Sequence, residues 1–324
     1  MKRALVVGGT GFVGRHLARV LAASDREVLA TGRRPPLPDG TALPGEVRAL
    51  DIEDREAVLA LVGSFQPDEV YHLAAVSDVP AVFEFPARGA AVNVAGAARV
   101  LEAIALECPR ARAVVASSGT VYEGADPSLV PWDETVPAAP LTLYAATKVA
   151  AEAIAQGFAM ERKVQVVVVR PFNQIGPGQS PRFALPSFAR QVARIERGLG
   201  DAEGTIEVGA IENRRDFCDV RDMARALILA MERGRPGEIY NVASGRPVRV
   251  GDLLERMLAR SGVRARIVPR SSRLRPQDVP IMAGDASKAA RELGWRPETP
   301  VEQSLDDCLA DWRSRIDREE ELRA

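Results

Sequence analysis

Leu5-Val6-Val7-Gly8-Gly9-Thr10-Gly11-Phe12-Val13-Gly14 is the stretch that decides the fold. Three buried-strand residues run into a glycine-rich turn. Phe12, Val13, His16, Leu17, Val20 and Leu21 then recur at helical spacing. Glycine lets such a chain turn sharply, lets backbone approach a pyrophosphate, and lets helix pack on strand. The helix start that follows offers free N–H groups and the positive end of a dipole to phosphate. Gly8, Thr10, Gly11, Phe12, Val13 and Gly14 are therefore expected around a dinucleotide; a tight turn without ligand is the plainer alternative.

Working outward, short β-branched runs alternate with helical patterns. Val28-Leu29-Ala30 reads as a second strand, Val47 to Leu50 as a third and Val70 to Ala74 as a fourth. Ala87 to Glu107 predicts a long helix, Ala113 to Ala116 a strand, Thr142 to Glu161 a helix and Gln165 to Val169 a valine strand. Continuous apolar strands separated by helices indicate a parallel sheet covered on both faces, the doubly wound α/β class. After Pro171 the chain becomes richer in Gly, Pro and Arg, and a smaller α+β region is expected. Helix Val220–Arg233 and strand Glu238–Val242 return to the main sheet, and a last helix, Val301 to Arg315, ends in a frayed charged tail. The domains expected are residues 1–171 plus about 214–243 for the dinucleotide, and about 172–213 plus 244–324 for the substrate.

The 324 residues carry 43 Lys+Arg against 44 Asp+Glu, a formal net charge of -1. No net basic field exists to attract nucleic acid or an anionic membrane surface. The start runs straight into a strand and is too short for a signal-peptide core, and no stretch approaches the ~18 apolar residues of a spanning helix. Cys108, Cys218 and Cys308 are far apart and give neither a ligand spacing nor an even disulfide framework, and two histidines make a His-rich metal site implausible. A reduced, cytoplasmic protein without metal is expected. His16 and His72 read as packing residues, and Cys218 as a small hydrophobe.

The end of the second strand bears on which dinucleotide is held. An acid there would bond the ribose 2′-hydroxyl of NAD. The sequence has Ala30-Thr31-Gly32-Arg33-Arg34, and guanidinium forks suit a 2′-phosphate. NADP(H) is the expected cofactor; two solvated loop charges are the alternative.

Tyr144 and Lys148 lie four residues apart near a helix start and so share a face. A neighbouring ammonium is expected to pull the tyrosine pKa down toward the working range. Ser117-Ser118 follows a parallel strand at its carboxyl end, where such folds place ligands. The catalytic set expected is Ser118, Tyr144 and Lys148.

Gly8-x-x-Gly11-x-x-Gly14, Asp51-Ile52, His72-Leu73-Ala74-Ala75, Asn93, Ser118 and Tyr144-x-x-x-Lys148 resemble the extended short-chain dehydrogenase/reductases that act on nucleotide sugars. The resemblance covers nearly the whole chain and implies a Rossmann sheet with a smaller α+β substrate domain. It implies that Asp51 and Ile52 contact the adenine, that Leu73, Ala74 and Ala75 line the cofactor, and that Lys148 holds the nicotinamide ribose. It also assigns Asn93 and Pro171 to the cofactor side and Ser77, Ser118 and Thr120 to the substrate side. A homodimer through the helices around residues 90–106 and 143–158 is implied as well.

Arg170-Pro171-Phe172-Asn173-Gln174-Ile175-Gly176-Pro177-Gly178-Gln179 is similar to a segment of GDP-4-dehydro-6-deoxy-D-mannose reductases, as are Leu274 to Pro280 and Leu293-Gly294-Trp295. By that resemblance Asn173, Arg190, Arg215, Arg275 and Asp278 hold the nucleoside diphosphate of a nucleotide-sugar substrate. The related 4,6-dehydratases carry an Asp-Glu pair directly after the catalytic Ser/Thr, where this chain has Gly119-Thr120 and so offers no base for carbon 5. Glu123 interrupts the usual Val-Tyr-Gly and is expected to point away from the site. The resemblance implies NADPH-dependent reduction of a 4-keto-6-deoxy sugar, GDP-4-dehydro-6-deoxy-D-mannose to GDP-D-rhamnose. A 4-epimerase with bound NAD stays open, as does a non-catalytic NADP-binding sensor or scaffold.

Overall fold

The computed structural model describes residues 1–33, 42–200, 204–273 and 278–321. Strand β1 (Lys2–Val7), helix α1 (Phe12–Ala22), β2 (Arg26–Gly32), β3 (Glu46–Ala49), α2 (Arg55–Phe65) and β4 (Glu69–His72) form the first half of a doubly wound unit. Helices α3 (Val79–Glu84), α4 (Pro86–Ala90) and α5 (Gly96–Glu107) lead to β5 (Arg112–Ala116), α6 (Leu143–Glu161) and β6 (Gln165–Pro171). Short strand β7 (Asn173–Ile175), α7 (Ala184–Glu196), β8 (Thr205–Val208) and β9 (Arg214–Asp219) follow, then α8 (Val220–Arg233) and β10 (Ile239–Val242). The chain closes with β11 (Pro247–Arg249), α9 (Val250–Ser261), β12 (Arg266–Pro269), β13 (Ile281–Met282), α10 (Ser287–Glu292) and α11 (Val301–Glu321).

Seven parallel strands make the main sheet in the order β10-β6-β5-β4-β1-β2-β3. Residues two apart share a face, so Leu5 and Val7 meet α2, α5 and α6, whereas Ala4 and Val6 meet α1 and α8. Both faces are therefore apolar, which is why the strands read as continuous hydrophobic runs. The order reverses between β1 and β4, and the crevice at their carboxyl ends is where such sheets take ligands.

Strand β9 joins a smaller sheet with β11, β13 and β7, and β8 pairs with β12. A separate core of α7, α9 and α11 packs around Phe188, Leu254, Leu309 and Trp312. Among the helix termini, α2 is capped by Asp54, which accepts from the Ala57 N–H at 3.0 Å, and α6 by Thr142, which accepts from the Ala145 N–H at 3.2 Å.

Three expectations change. The helix expected over 87–107 contains one wider turn at Ala91–Ala95 between α4 and α5. That turn swings Asn93 inward, where its side chain bonds the Val76 N–H at 2.7 Å and the Val76 carbonyl at 3.2 Å. An alanine-rich sequence gives no local sign of it. The final helix runs through Glu321 instead of fraying after Arg315, because Ile316 is fully buried and Asp317 pairs with Arg197 at 2.7 Å. Finally, Pro86–Glu107 is long and apolar enough to cross a membrane by length and composition, but here about half of its apolar stretch is buried between α2 and α6, as in the core helix of a folded domain.

Candidate active site

A cavity of about 680 Å³ opens where β1 and β4 diverge. Gly8 sits at φ +87°, and a Cβ there would lie 2.6 Å from the Ala74 nitrogen. A Cβ on Gly14 would lie 2.6 Å from the Gly9 Cα. The turn can thus close only with glycine at both places. Gly11 precedes α1 as a cap without a side-chain bond, and the first turn carries no acid, so the leading N–H groups are open to an anion.

Gly8, Thr10 and Gly11 line this cavity, as do Arg33, Asp51, Ile52, Leu73, Ala74, Ala75 and Ser77. Phe12 lies edge-on to His16 with ring centroids 5.8 Å apart, and Val13 packs under the sheet. Asn93 stands behind the lining and donates to Thr147 Oγ1 at 3.0 Å. Pro171 ends β6 in register with Val242. Arg34 lies outside the described residues. Sequence reasoning passed over Arg88, Arg182 and Phe183, which also line the cavity. Arg182 reaches it from the segment before α7 and pairs with Asp78 at 3.4 Å; no motif marks it.

Ser118 follows β5, and its Oγ accepts from the Thr120 N–H at 3.2 Å and from the Thr120 hydroxyl at 2.9 Å. Tyr144 opens α6, and Lys148 stands one turn on with its ammonium 5.9 Å from the Tyr144 ring centroid. Lys148 Nζ donates to the Ala116 carbonyl at 2.9 Å. The structure thus gathers Ser118, Tyr144 and Lys148 at the carboxyl end of β5.

Their titration differs from the expectation that Lys148 pulls Tyr144 down. Burial pushes the phenol up to about 12, and only its hydrogen bond with Ser118 acts the other way. Burial also lowers Lys148 to about 8, with the Glu152 carboxylate opposing. Desolvation outweighs the pair interaction at both groups. At neutral pH the site therefore holds a protonated phenol beside an ammonium.

Glu123 does not point away. It is almost fully buried, accepts from the Thr142 hydroxyl at 3.0 Å, and its charge helps keep Tyr144 protonated. His72 closes β4 as a buried ring lowered to about 3 by burial and by Lys148, with no partner for Nδ1. His16 Nε2 lies 2.8 Å from the Pro177 carbonyl. The three cysteines are buried free thiols.

Of the residues expected to hold the nucleoside diphosphate, Arg215 and Asp278 form an ion pair with each other. Asn173 begins β7 in register with Phe217. Arg190 stands apart from these, over the Trp312 ring at 6.0 Å from its centroid on the α7–α11 face. Arg275 lies outside the described residues.

A family model for GDP-mannose 4,6 dehydratase matches residues 5–308. The chain is 34% identical over 319 residues to the GDP-6-deoxy-D-mannose reductase of Pseudomonas aeruginosa, covering 98% of this chain and 99% of that one. Among solved structures it superposes on RMD from Pseudomonas aeruginosa complexed with NADPH with a TM-score of 0.84 at 33% identity, covering 97% and 100% of the two chains. It also superposes on the Thermotoga maritima UDP-glucose 4-epimerase with UDP-glucose, with a TM-score of 0.88 at 27% identity, covering 97% and 99%. With its glycine-rich turn, its parallel sheet and a match across nearly its full length, the chain belongs to the GDP-mannose 4,6 dehydratase family of extended short-chain dehydrogenase/reductases.

Proposed function

We propose that this protein is an NADPH-dependent oxidoreductase that reduces the 4-keto group of GDP-4-dehydro-6-deoxy-D-mannose to give GDP-D-rhamnose. The observation that carries this is a protonated Tyr144 bonded to Ser118 beside Lys148, with Gly119-Thr120 where a dehydratase would need two carboxyl groups. The likeness to a GDP-6-deoxy-D-mannose reductase and to a structure complexed with NADPH supports the substrate and the cofactor.

Gly8, Thr10, Gly11 and the open start of α1 would hold the pyrophosphate, with Phe12, Val13 and Gly14 shaping that first turn. Asp51 and Ile52 would take the adenosine end, Arg33 the 2′-phosphate, Leu73 to Ala75 with Asn93 and Pro171 the remaining wall, and Lys148 the nicotinamide ribose. When bound, NADPH supplies the hydride. Tyr144 passes its phenolic proton to the oxygen that becomes the 4-hydroxyl, and solvent restores that proton afterwards. Ser118 holds the same oxygen so that charge is met where it develops. The Lys148 ammonium offsets the phenolate left behind. Ser77 and Thr120 face the sugar, while Asn173, Arg215 and Asp278 are assigned to the nucleoside diphosphate, with Arg190 and Arg275 as outer members.

A 4-epimerase remains the second reading, favoured by the superposition on UDP-glucose 4-epimerase and by the Ser118-Gly119-Thr120-Val121-Tyr122 loop. Arg33, in place of an acid after β2, supports the reductase. Exposed Leu106 on α5 and exposed Leu143 and Met160 on α6 support a homodimer through the helices around residues 90–106 and 143–158. A cytoplasmic setting belongs to the same reading.

NADPH absorbance is expected to fall when GDP-4-dehydro-6-deoxy-D-mannose is added, and Tyr144→Phe to slow this about 100-fold or more. Inversion of a 4-hydroxy nucleotide sugar without NADPH consumption establishes the epimerase instead. Arg33→Ala is expected to weaken NADPH binding about tenfold and to leave NADH within about twofold, because one charge-assisted contact is lost; equal weakening refutes a 2′-phosphate contact. Lys148 is cationic below its value of about 8, so kcat/KM should fall as pH rises through that value, and a flat profile from pH 7 to 10 contradicts the assignment. Sedimentation equilibrium should give twice the chain mass; a single chain mass at micromolar concentration rejects the dimer.

A further inference from the structure

Beneath the reacting groups lies a buried ionic cluster that no step of the reduction uses. Glu152 and Arg170 are 4% and 6% exposed. Arg170 donates to Glu152 through Nε at 2.8 Å and through Nη2 at 2.6 Å, and the Ser117 hydroxyl donates to the same carboxylate. The remaining face of Arg170 is also filled. Its Nη1 donates to the Tyr122 hydroxyl at 2.5 Å, and Tyr122 donates to Asn241 Oδ1 at 3.1 Å.

The placement ties this cluster to the chemistry. Tyr144, Lys148 and Glu152 follow one another at intervals of four on α6 and so share one face. Ser117 is the chain neighbour of Ser118, and Arg170 is on β6. One carboxylate therefore joins the helix that carries Tyr144 and Lys148 to the end of β5 and to β6. We propose that Glu152 is a positioning residue that, through Ser117 and Arg170, holds the Tyr144–Lys148 face of α6 at its working separation from Ser118. The inference rests on the reading of those three groups as the reacting set.

A merely adhesive role would not need this chemistry. Apolar side chains of similar volume hold a helix to a sheet at least as well as a buried ion pair does. What a carboxylate with three directed bonds adds is a fixed geometry, and a misplacement of about 1 Å at reacting atoms can cost about 100-fold in rate. Its charge acts too. Lys148 faces Tyr144 and Glu152 on α6, the Ala116 carbonyl at the end of β5 and the uncharged His72 ring at the end of β4. Glu152 is the anion in that set, and removing it lets Lys148 lose its proton at lower pH.

Three substitutions test this, with kcat, KM, the NADPH dissociation constant, the thermal midpoint and the pH profile measured on the intact enzyme. Ser117→Ala leaves the Glu152–Arg170 pair in place, and should lower kcat about tenfold with NADPH affinity and midpoint nearly unchanged. Ser117→Thr should restore kcat. Glu152→Gln should move the alkaline limb of kcat/KM down by about one pH unit. If Glu152→Gln does not fold, the Ser117 pair decides alone. Wild-type kcat for Ser117→Ala, failure of Ser117→Thr to restore a loss, or a loss that only tracks the thermal midpoint overturns the proposal. So does an unmoved limb in a folded Glu152→Gln. Tyr144→Phe separates the two levels: if it stays fully active the reduction reading itself falls, whereas an inactive Tyr144→Phe with a normal Ser117→Ala removes only the role of Glu152.

Discussion

The site depends on one steric fact, the contact of Gly8 with the backbone of Ala74. That contact exists only without a Cβ, at a positive φ that L side chains rarely adopt. It brings the end of β1 against the end of β4, where the strand order reverses. Helix α1 can then start close under the turn because Gly14 also lacks a Cβ. The open N–H groups, the cavity and its wall at Leu73 to Ala75 all follow from this approach.

The chemistry at the end of β5 is set by a second constraint, the exclusion of water. Burial raises Tyr144 and lowers Lys148, and both shifts oppose charge. A phenol held protonated suits a reductase, which must donate a proton, better than an enzyme that must first remove one. The same dryness makes the Glu152–Arg170 pair demanding. Removing one partner of such a pair costs about 3–5 kcal/mol, because the other charge is left buried and unmatched. Ser117 and Tyr122 complete the bonding of that pair, and Asn241 in turn accepts from the Tyr122 hydroxyl.

Much of this was readable in residues 5–22, 113–118 and 142–161, where local patterns and motifs coincide. The strand–turn–helix unit, the Ser118 strand end and the Tyr144–Lys148 spacing all depend on neighbours in sequence, so a linear reading finds them. The wider turn at Asn93 was not readable, since its cause is the Val76 backbone across space. Arg182 on the cavity and the buried setting of Glu123 are illegible in sequence for the same reason. The full length of α11 is not legible in sequence, because Ile316 and Asp317 are held by α7 and its end, not by their own helix.

By itself the sequence determined the parallel sheet, the place of the glycine-rich turn and the spacing that brings the candidate Ser, Tyr and Lys together, because period, glycine position and motif spacing are local properties of a chain. Only the tertiary structure decided which groups are charged and what holds them. Burial, and not the neighbouring lysine, governs the Tyr144 proton, and the Glu152 carboxylate that ties α6 to β5 and β6 lies 35 residues from Ser117 and 18 from Arg170. Desolvation and long-range bonding depend on what surrounds a group in space, and no local pattern of residues records that.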